Sequence, residues 1–427
     1  MVSSAEPAIA AEQASSLEPE RAPSYRWTIC ALLFVATTIN YIDRQVLGVL
    51  APTLQRALNW SEADYGDIVS WFSFAYGFGF LVAGRVIDRV GVRRGLAGAV
   101  IAWSLAAIGH AFARTVAGFS FARALLGVSE SAIFPGSIKA IAEWFPQRER
   151  ALATGIFNAG TNTGAILTPL LVPWIALTWG WQWAFVATGA LGLVWLALWI
   201  PFYRDVASAQ ARDEVRPKVS LANLFTRRQT WAFIVGKFMA DPVWWFYLYW
   251  LPKFLDAKYG VKLAQVAAPL IVVYLIADAG SVGGGWLSSA LIKRGWSVNR
   301  SRKTAMLAMA LLIVPTTLVS RAPTMWSAVG IVGVALAAHQ AWSANVYTLA
   351  SDMFPKFAVG SVVGIGAFGG AMGGVLFQRI TGRVLQVNGS DYTPIFLVCG
   401  LAYVTAWLII HLLAPRLEPV RLVAGNR

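Results

Sequence analysis

Apolar residues run through this chain in long blocks, separated by short clusters of basic and turn-forming residues. Twelve blocks have the reach of bilayer-crossing helices, for which ~18 apolar residues are the usual signal. They fall at 26–50, 66–87, 95–113, 117–141, 150–175, 181–203, 230–252, 265–290, 303–320, 324–350, 358–382 and 392–414. Twelve crossings return both chain ends to one side. The stretch 1–24 is rich in Ala, Ser, Glu and Pro, with no basic segment leading into an apolar one. It reads as a disordered tail, not a cleaved signal peptide.

A polar linker at 204–229 divides the blocks into two sets of six, giving bundles at 25–203 and 230–415 and a second tail at 416–427. A weak repeat joins the sets. Gly84-Arg85-Val86-Ile87-Asp88-Arg89-Val90-Gly91-Val92-Arg93-Arg94 follows the second block, and Gly285 to Gly295 follows the eighth. Two six-helix halves around a midplane site form a known transporter plan.

Composition agrees with the blocks. Of 427 residues, 57% are hydrophobic and only 13% charged, against about 25% in a soluble protein. The class is an all-α polytopic membrane protein. The net charge of +14 does not point to nucleic acid, because the basic residues gather in the even loops (Arg85, Arg89, Arg93, Arg94; Arg148, Arg150; Lys293, Arg294, Arg300), as the positive-inside rule requires. Both termini are therefore expected in the cytoplasm. Cys30 and Cys399, with His110, His339 and His411, give neither metal-ligand spacing nor a disulfide framework. No metal and no cofactor are expected, and no nucleophile–base set suggests an enzyme.

Charges inside the blocks carry the chemistry. Asn40-Tyr41-Ile42-Asp43-Arg44 puts two charges in the first block, at a cost of roughly 2.5–3.5 kcal/mol each on insertion scales. Arg123 and Glu130 in the fourth block lie two turns apart, about 10 Å along one face. The two blocks run oppositely, so both pairs fall at comparable depth. Arginine offers a planar fork to a carboxylate, so Arg44 and Arg123 suit an organic anion. Carboxylates in a low-dielectric site take up protons nearer neutral pH, so Asp43 and Glu130 are the expected proton acceptors. The alternative is a set of permanent Asp–Arg and Glu–Arg bridges.

Further candidates follow. Trp244 and Tyr247 are placed to stack on a sugar or to pack, while Tyr249 and Trp250 read as an interfacial belt. Pro242 is expected to kink or break the seventh block beside Asp241, as a gating span needs. Tyr41 and Tyr76 would line the N-terminal side of a cavity. Asn158 and Asn162 would share a face of the fifth block. On the other side Tyr274, Asp278, His339, Gln340 and Asn345 are available, though a lone His is more often structural. Asp88, with Arg89 and Arg93, suits a latch that holds one conformation.

Gly84 to Arg94, as Gly-x-x-x-Asp-Arg-x-Gly-x-Arg-Arg, resembles the signature loop of the major facilitator superfamily; the second copy departs from it, with Ser289 in the acidic place. Asn-Tyr-Ile-Asp-Arg together with Arg123 and Glu130 is similar to the anion:cation symporter branch. The segments Ala240–Lys253 and Asp352–Gly366 resemble hexuronate transporters of that branch. The fifth block also lacks the Gly-Pro-rich pattern of many proton-driven exporters. The resemblance implies proton-coupling roles for Asp43 and Glu130 and anion handling by Arg44 and Arg123. It implies a monomer in a bacterial inner membrane that imports a hexuronate such as galacturonate or glucuronate with protons. Alternatives are an aldonate or aldarate, sodium coupling, or a membrane sensor that binds without translocating.

Overall fold

The computed structural model describes residues 23–204 and 221–420. The tail at 1–22, linker residues 205–220 and the end at 421–427 lie outside them. Fourteen α-helices make up the described chain. The N-terminal half holds α1 (Pro23–Leu58), α2 (Glu62–Val90), α3 (Val92–Gly109), α4 (Val116–Glu130), α5 (Ile133–Trp144), α6 (Gln147–Trp179) and α7 (Trp181–Phe202). After a short α8 (Leu221–Phe225), inside the expected linker, come α9 (Arg228–Tyr259), α10 (Ala267–Lys293), α11 (Val298–Ile313), α12 (Met325–Met353), α13 (Lys356–Val387) and α14 (Thr393–Leu413).

Local chemistry sets the ends. Ser61 and Asp64 form a reciprocal capping box at the start of α2, and Thr324 with Ser327 does so for α12. Gly91, Gly180 and Gly260 close α2, α6 and α9 with positive φ. Two expected spans are divided. The fourth breaks at Ser131-Ala132, because Pro135 cannot donate to the carbonyl four residues back. The ninth continues from α11 as a 3-10 turn over Val314–Arg321, with Pro315 near its start. The seventh is not broken: α9 runs through Pro242. At the end of the described chain the Val420 amide donates to the Met353 carbonyl at 2.7 Å.

With the divided spans counted once, twelve helical crossings form two six-helix bundles. Their packing is pseudo-symmetric. In the first half α1 lies on α6 and α7, α2 on α4, and α3 on α7; in the second α9 lies on α13 and α14, α10 on α12, and α11 on α14. The halves meet along α1–α9, α2–α13 and α6–α10. Among the described residues, eight crossings are long and apolar enough to span a membrane by length and composition alone. The other four, α1, α6, α9 and α10, carry polar residues along the meeting of the halves. Two faces result: a terminal face, where Pro23 and Val420 lie, and an odd-loop face at the opposite helix ends.

Candidate functional site

Arg44 of α1 and Glu130 of α4 form a buried ion pair between helices. Both Nε and Nη2 of Arg44 donate to one oxygen, Oε2, at 3.0 and 2.9 Å; Nη2 also reaches Asn40 Oδ1, one turn back, at 3.3 Å. Three rings surround the guanidinium, with centroids at 4.7 Å (Tyr41), 5.0 Å (Phe72) and 4.8 Å (Tyr76). Glu130 Oε1 is buried and has no hydrogen-bond partner among the described residues.

This is a Glu–Arg bridge, while no Asp43–Arg44 or Arg123–Glu130 bridge forms among the described residues. Adjacent helical residues point about 100° apart, so Asp43 turns away from the guanidinium beside it and lies near Thr188 of α7. Both its oxygens are buried. Arg123 does not bridge Glu130. Its Nη1 donates to the Arg44 carbonyl at 3.3 Å, its guanidinium lies over Phe72 and Tyr249, and Nε and Nη2 have no hydrogen-bond partner among the described residues.

The opposing half brings a residue that sequence reasoning passed over. Lys237 of α9 pairs with Asp241, one turn on, at 2.9 Å, and donates to Tyr347 Oη of α12 at 3.1 Å. Its signal was available: a lysine inside an apolar block, four residues from an acid. Asp241 lies about 20 Å along α9 from the terminal face, yet its side chain is 19% exposed. Tyr41, Tyr76 and Trp244 are half-buried as well, so a polar cleft reaches mid-helix between the halves.

Other predicted residues fall in varied places. Trp244 is half-buried and stacks on His339, which is itself bonded to Tyr403 Oη. Trp245 crosses to the other half and meets Phe72 and Tyr76 edge-on. Tyr247 does not face the cleft: six residues past Asp241 it has turned about 240° and is buried against Phe246 and Phe396. Pro242 leaves the Phe238 carbonyl without its helical donor and packs with it on Gly373 of α13. Gln340 is half-buried on α12, and Asn345 donates to the Ala341 carbonyl. Asn162 of α6 faces Asp278 of α10, Asn158 is exposed, and Gln45 donates to Tyr274 Oη across the halves.

Above this level the halves are closed. At Gly48 an added Cβ would stand 2.7 Å from the Leu248 carbonyl, and at Gly66 2.7 Å from the Gln378 carbonyl, so only glycine permits the approach. Ion pairs Lys253–Glu62, Arg379–Asp67 and Arg56–Asp256 cross the same seam. The belt reading of Tyr249 and Trp250 fails here, because both are fully buried in this seam, Trp250 edge-on to Tyr65 and bonded to Gln378. Towards the terminal face contact reaches Phe78–Phe368, while Gly360 and Gly364 meet nothing within 4 Å.

A family model described as Major Facilitator Superfamily matches residues 33–378. The chain belongs to this superfamily. The Hexuronate transporter of Escherichia coli (strain K12) is 30% identical over 404 residues, 90% of this chain and 93% of that one. The Galacturonate transporter of Dickeya chrysanthemi is 33% identical over 308 residues, 68% of this chain and 89% of its own. The crystal structure of a D-xylose-proton symporter superposes with a TM-score of 0.75 at 16% identity, covering 93% of this chain and 100% of that one. The superfamily consists of transporters, so the polar cleft belongs to a multi-pass membrane carrier and not to an enzyme.

The superfamily's signature loop is engaged within its own half. Asp88 pairs with Lys139 of α5 at 2.8 Å, Arg93 Nη2 donates to the Ile200 carbonyl at 2.6 Å, and Arg89 is exposed. Where the second copy carries Ser289, its neighbour Ser288 accepts from Arg302, which also binds Asp352.

Proposed function

We propose that this facilitator imports an acidic sugar, a hexuronate such as galacturonate or glucuronate, by proton symport across a bacterial inner membrane. The observation that carries the reading is the Arg44–Glu130 pair beside the cleft. Arg44 spends two donors on one carboxylate oxygen, and the same fork suits a substrate carboxylate. Protonation of Glu130 removes the charge that holds it. The guanidinium then turns to the incoming anion while the rings of Tyr41, Phe72 and Tyr76 continue to shelter it. One carboxylate entering with one proton leaves the charge of the cleft unchanged, which avoids burying an uncompensated ion. Asp43 supplies a second carboxylate for the proton. The odd-loop face is then the outer one, and the cleft opens to the cytoplasm.

The names of the two relatives support a sugar acid as the substrate class. Uptake of labelled galacturonate into proteoliposomes tests the reading. An inwardly directed proton gradient should drive accumulation above equilibrium. Uptake that ignores the gradient removes proton symport, and no uptake of any hexuronate removes the substrate.

A further inference from the structure

Each half holds a buried cation tied to an acid of the same half: Arg44 to Glu130 and Lys237 to Asp241. Arg44 lies over Tyr76, and Tyr76 meets Trp245 of α9 edge-on, one turn from Asp241, so the two ion pairs flank one stretch of cleft. We propose that Lys237 is the substrate contact of the C-terminal half, taking a hydroxyl oxygen of the sugar acid whose carboxylate rests on Arg44, and that Asp241 makes this contact reject a second carboxylate. The proposal deepens the reading of Arg44 above and rests on it.

The chemistry follows from donor supply. An ammonium group has three donors. Asp241 and the Tyr347 hydroxyl take two of them. The third has no partner among the described residues and can bond a neutral oxygen without displacing either. A second substrate carboxylate would instead set two acids against one cation, with only one charge to share. The arrangement is built, not incidental. Lys237 is only 5% exposed, its ammonium stands 4.4 Å from the centre of the Tyr347 ring, and α13 carries Gly370 where a Cβ would come within 2.2 Å of Asp241 Oδ2. The cleft should therefore prefer a sugar acid with one carboxylate to an aldarate with two.

Calorimetric binding of galacturonate and galactarate to the purified full chain tests this. Wild type should bind galacturonate more tightly. Lys237→Met should weaken galacturonate about ten- to a hundredfold, the loss expected of one hydrogen bond to a charged donor, while Lys237→Arg retains most of the affinity. Asp241→Asn should shift the affinity ratio towards galactarate by about tenfold or more, an effect that a merely structural lysine would not produce. Wild-type affinity for galacturonate in Lys237→Met overturns the proposal, as does an unchanged ratio in Asp241→Asn. Should Lys237→Met not fold, the ratio alone decides. If wild type binds neither acid, the reading of Arg44 falls, and this one with it; if it binds galacturonate and the variants behave as wild type, only this one falls.

Discussion

Arg44 is held by Glu130 and not by Asp43, its neighbour in the chain, so the central ion pair joins α1 to α4. Glu130→Gln keeps the shape of the acid and removes its charge. Galacturonate counterflow should persist in this variant, while accumulation driven by a pH gradient disappears. Preserved accumulation would take the proton role away from Glu130.

Arg44→Lys keeps the charge but loses the fork, since the ammonium has no rigid pair of parallel donors on separate nitrogens. Galacturonate affinity should fall by about tenfold or more, with the unfolding midpoint little changed. A ligand titration followed by tryptophan fluorescence reads the first, and a thermal melt the second. Unaltered affinity would mean that the carboxylate binds elsewhere.

The closed seam gives a third test. Lys253 is buried and donates to Glu62, with the rings of Tyr65 and Trp250 on either side. Removing one partner of a buried pair commonly costs about 3–5 kcal/mol, and opening the seam relieves part of it. Ser73 is buried in the same seam, its hydroxyl beside Gly374. Ser73→Cys should resist a soluble thiol reagent in the otherwise native chain and react several-fold faster once Glu62→Gln is added. The native Cys30 and Cys399 are both buried and give little background. Equal labelling rates would show that the pair does not hold the seam.

Gly66→Val tests the backbone contact itself. A Cβ there already meets the Gln378 carbonyl at 2.7 Å and the Gly382 Cα at 3.0 Å. The larger side chain should keep α2 and α13 apart, lowering galacturonate uptake by tenfold or more and raising the reactivity of Ser73→Cys. Normal uptake would show that the helices need not come this close during transport.

Asp391 lies in the loop before α14, where its carboxylate accepts from the Thr393 hydroxyl at 2.6 Å and amide at 2.9 Å. These bonds favour the ionised form and hold the carboxyl below its ordinary value. Its contribution is therefore complete above the unfolded-state value and lost as pH falls through the lower folded-state value. Asp391→Ala should cost about 0.5 kcal/mol at neutral pH, allowing for its exposure. The gap between the melting curves of the two proteins should close in acid; a gap that persists there would assign the effect to something other than charge.

Cost made part of the site legible in the chain. Asp43, Arg44, Arg123 and Glu130 stand out because apolar blocks do not carry charge without reason. Which acid meets which arginine did not follow, because that depends on the rotation of α4 against α2. The rotation is fixed by a tertiary contact: at Gly127 an added Cβ would stand 2.4 Å from the Phe72 carbonyl. Aromatic residues were less legible still. Trp250 near a helix end reads alike whether it faces lipid or another helix, and only the partner Tyr65, 185 positions away, decides. Tyr247 was a matter of phase, since it shares a segment with Asp241 but not a face. Lys237 carried the same cost signal as Asp43, with an acid four residues on to complete it.

At the odd-loop face, backbone contacts at Gly48 and Gly66 let the halves close around buried aromatic rings and three ion pairs. Those pairs differ in how far they stand from water. Glu62–Lys253 lies largely out of solvent, whereas Asp67–Arg379 stands half in water and Arg56 is 59% exposed against Asp256. Mobile ions screen such rim pairs over about 8–10 Å and leave a buried pair nearly untouched. The mouth therefore has a coarse clamp indifferent to the medium and a fine one trimmed by ionic strength.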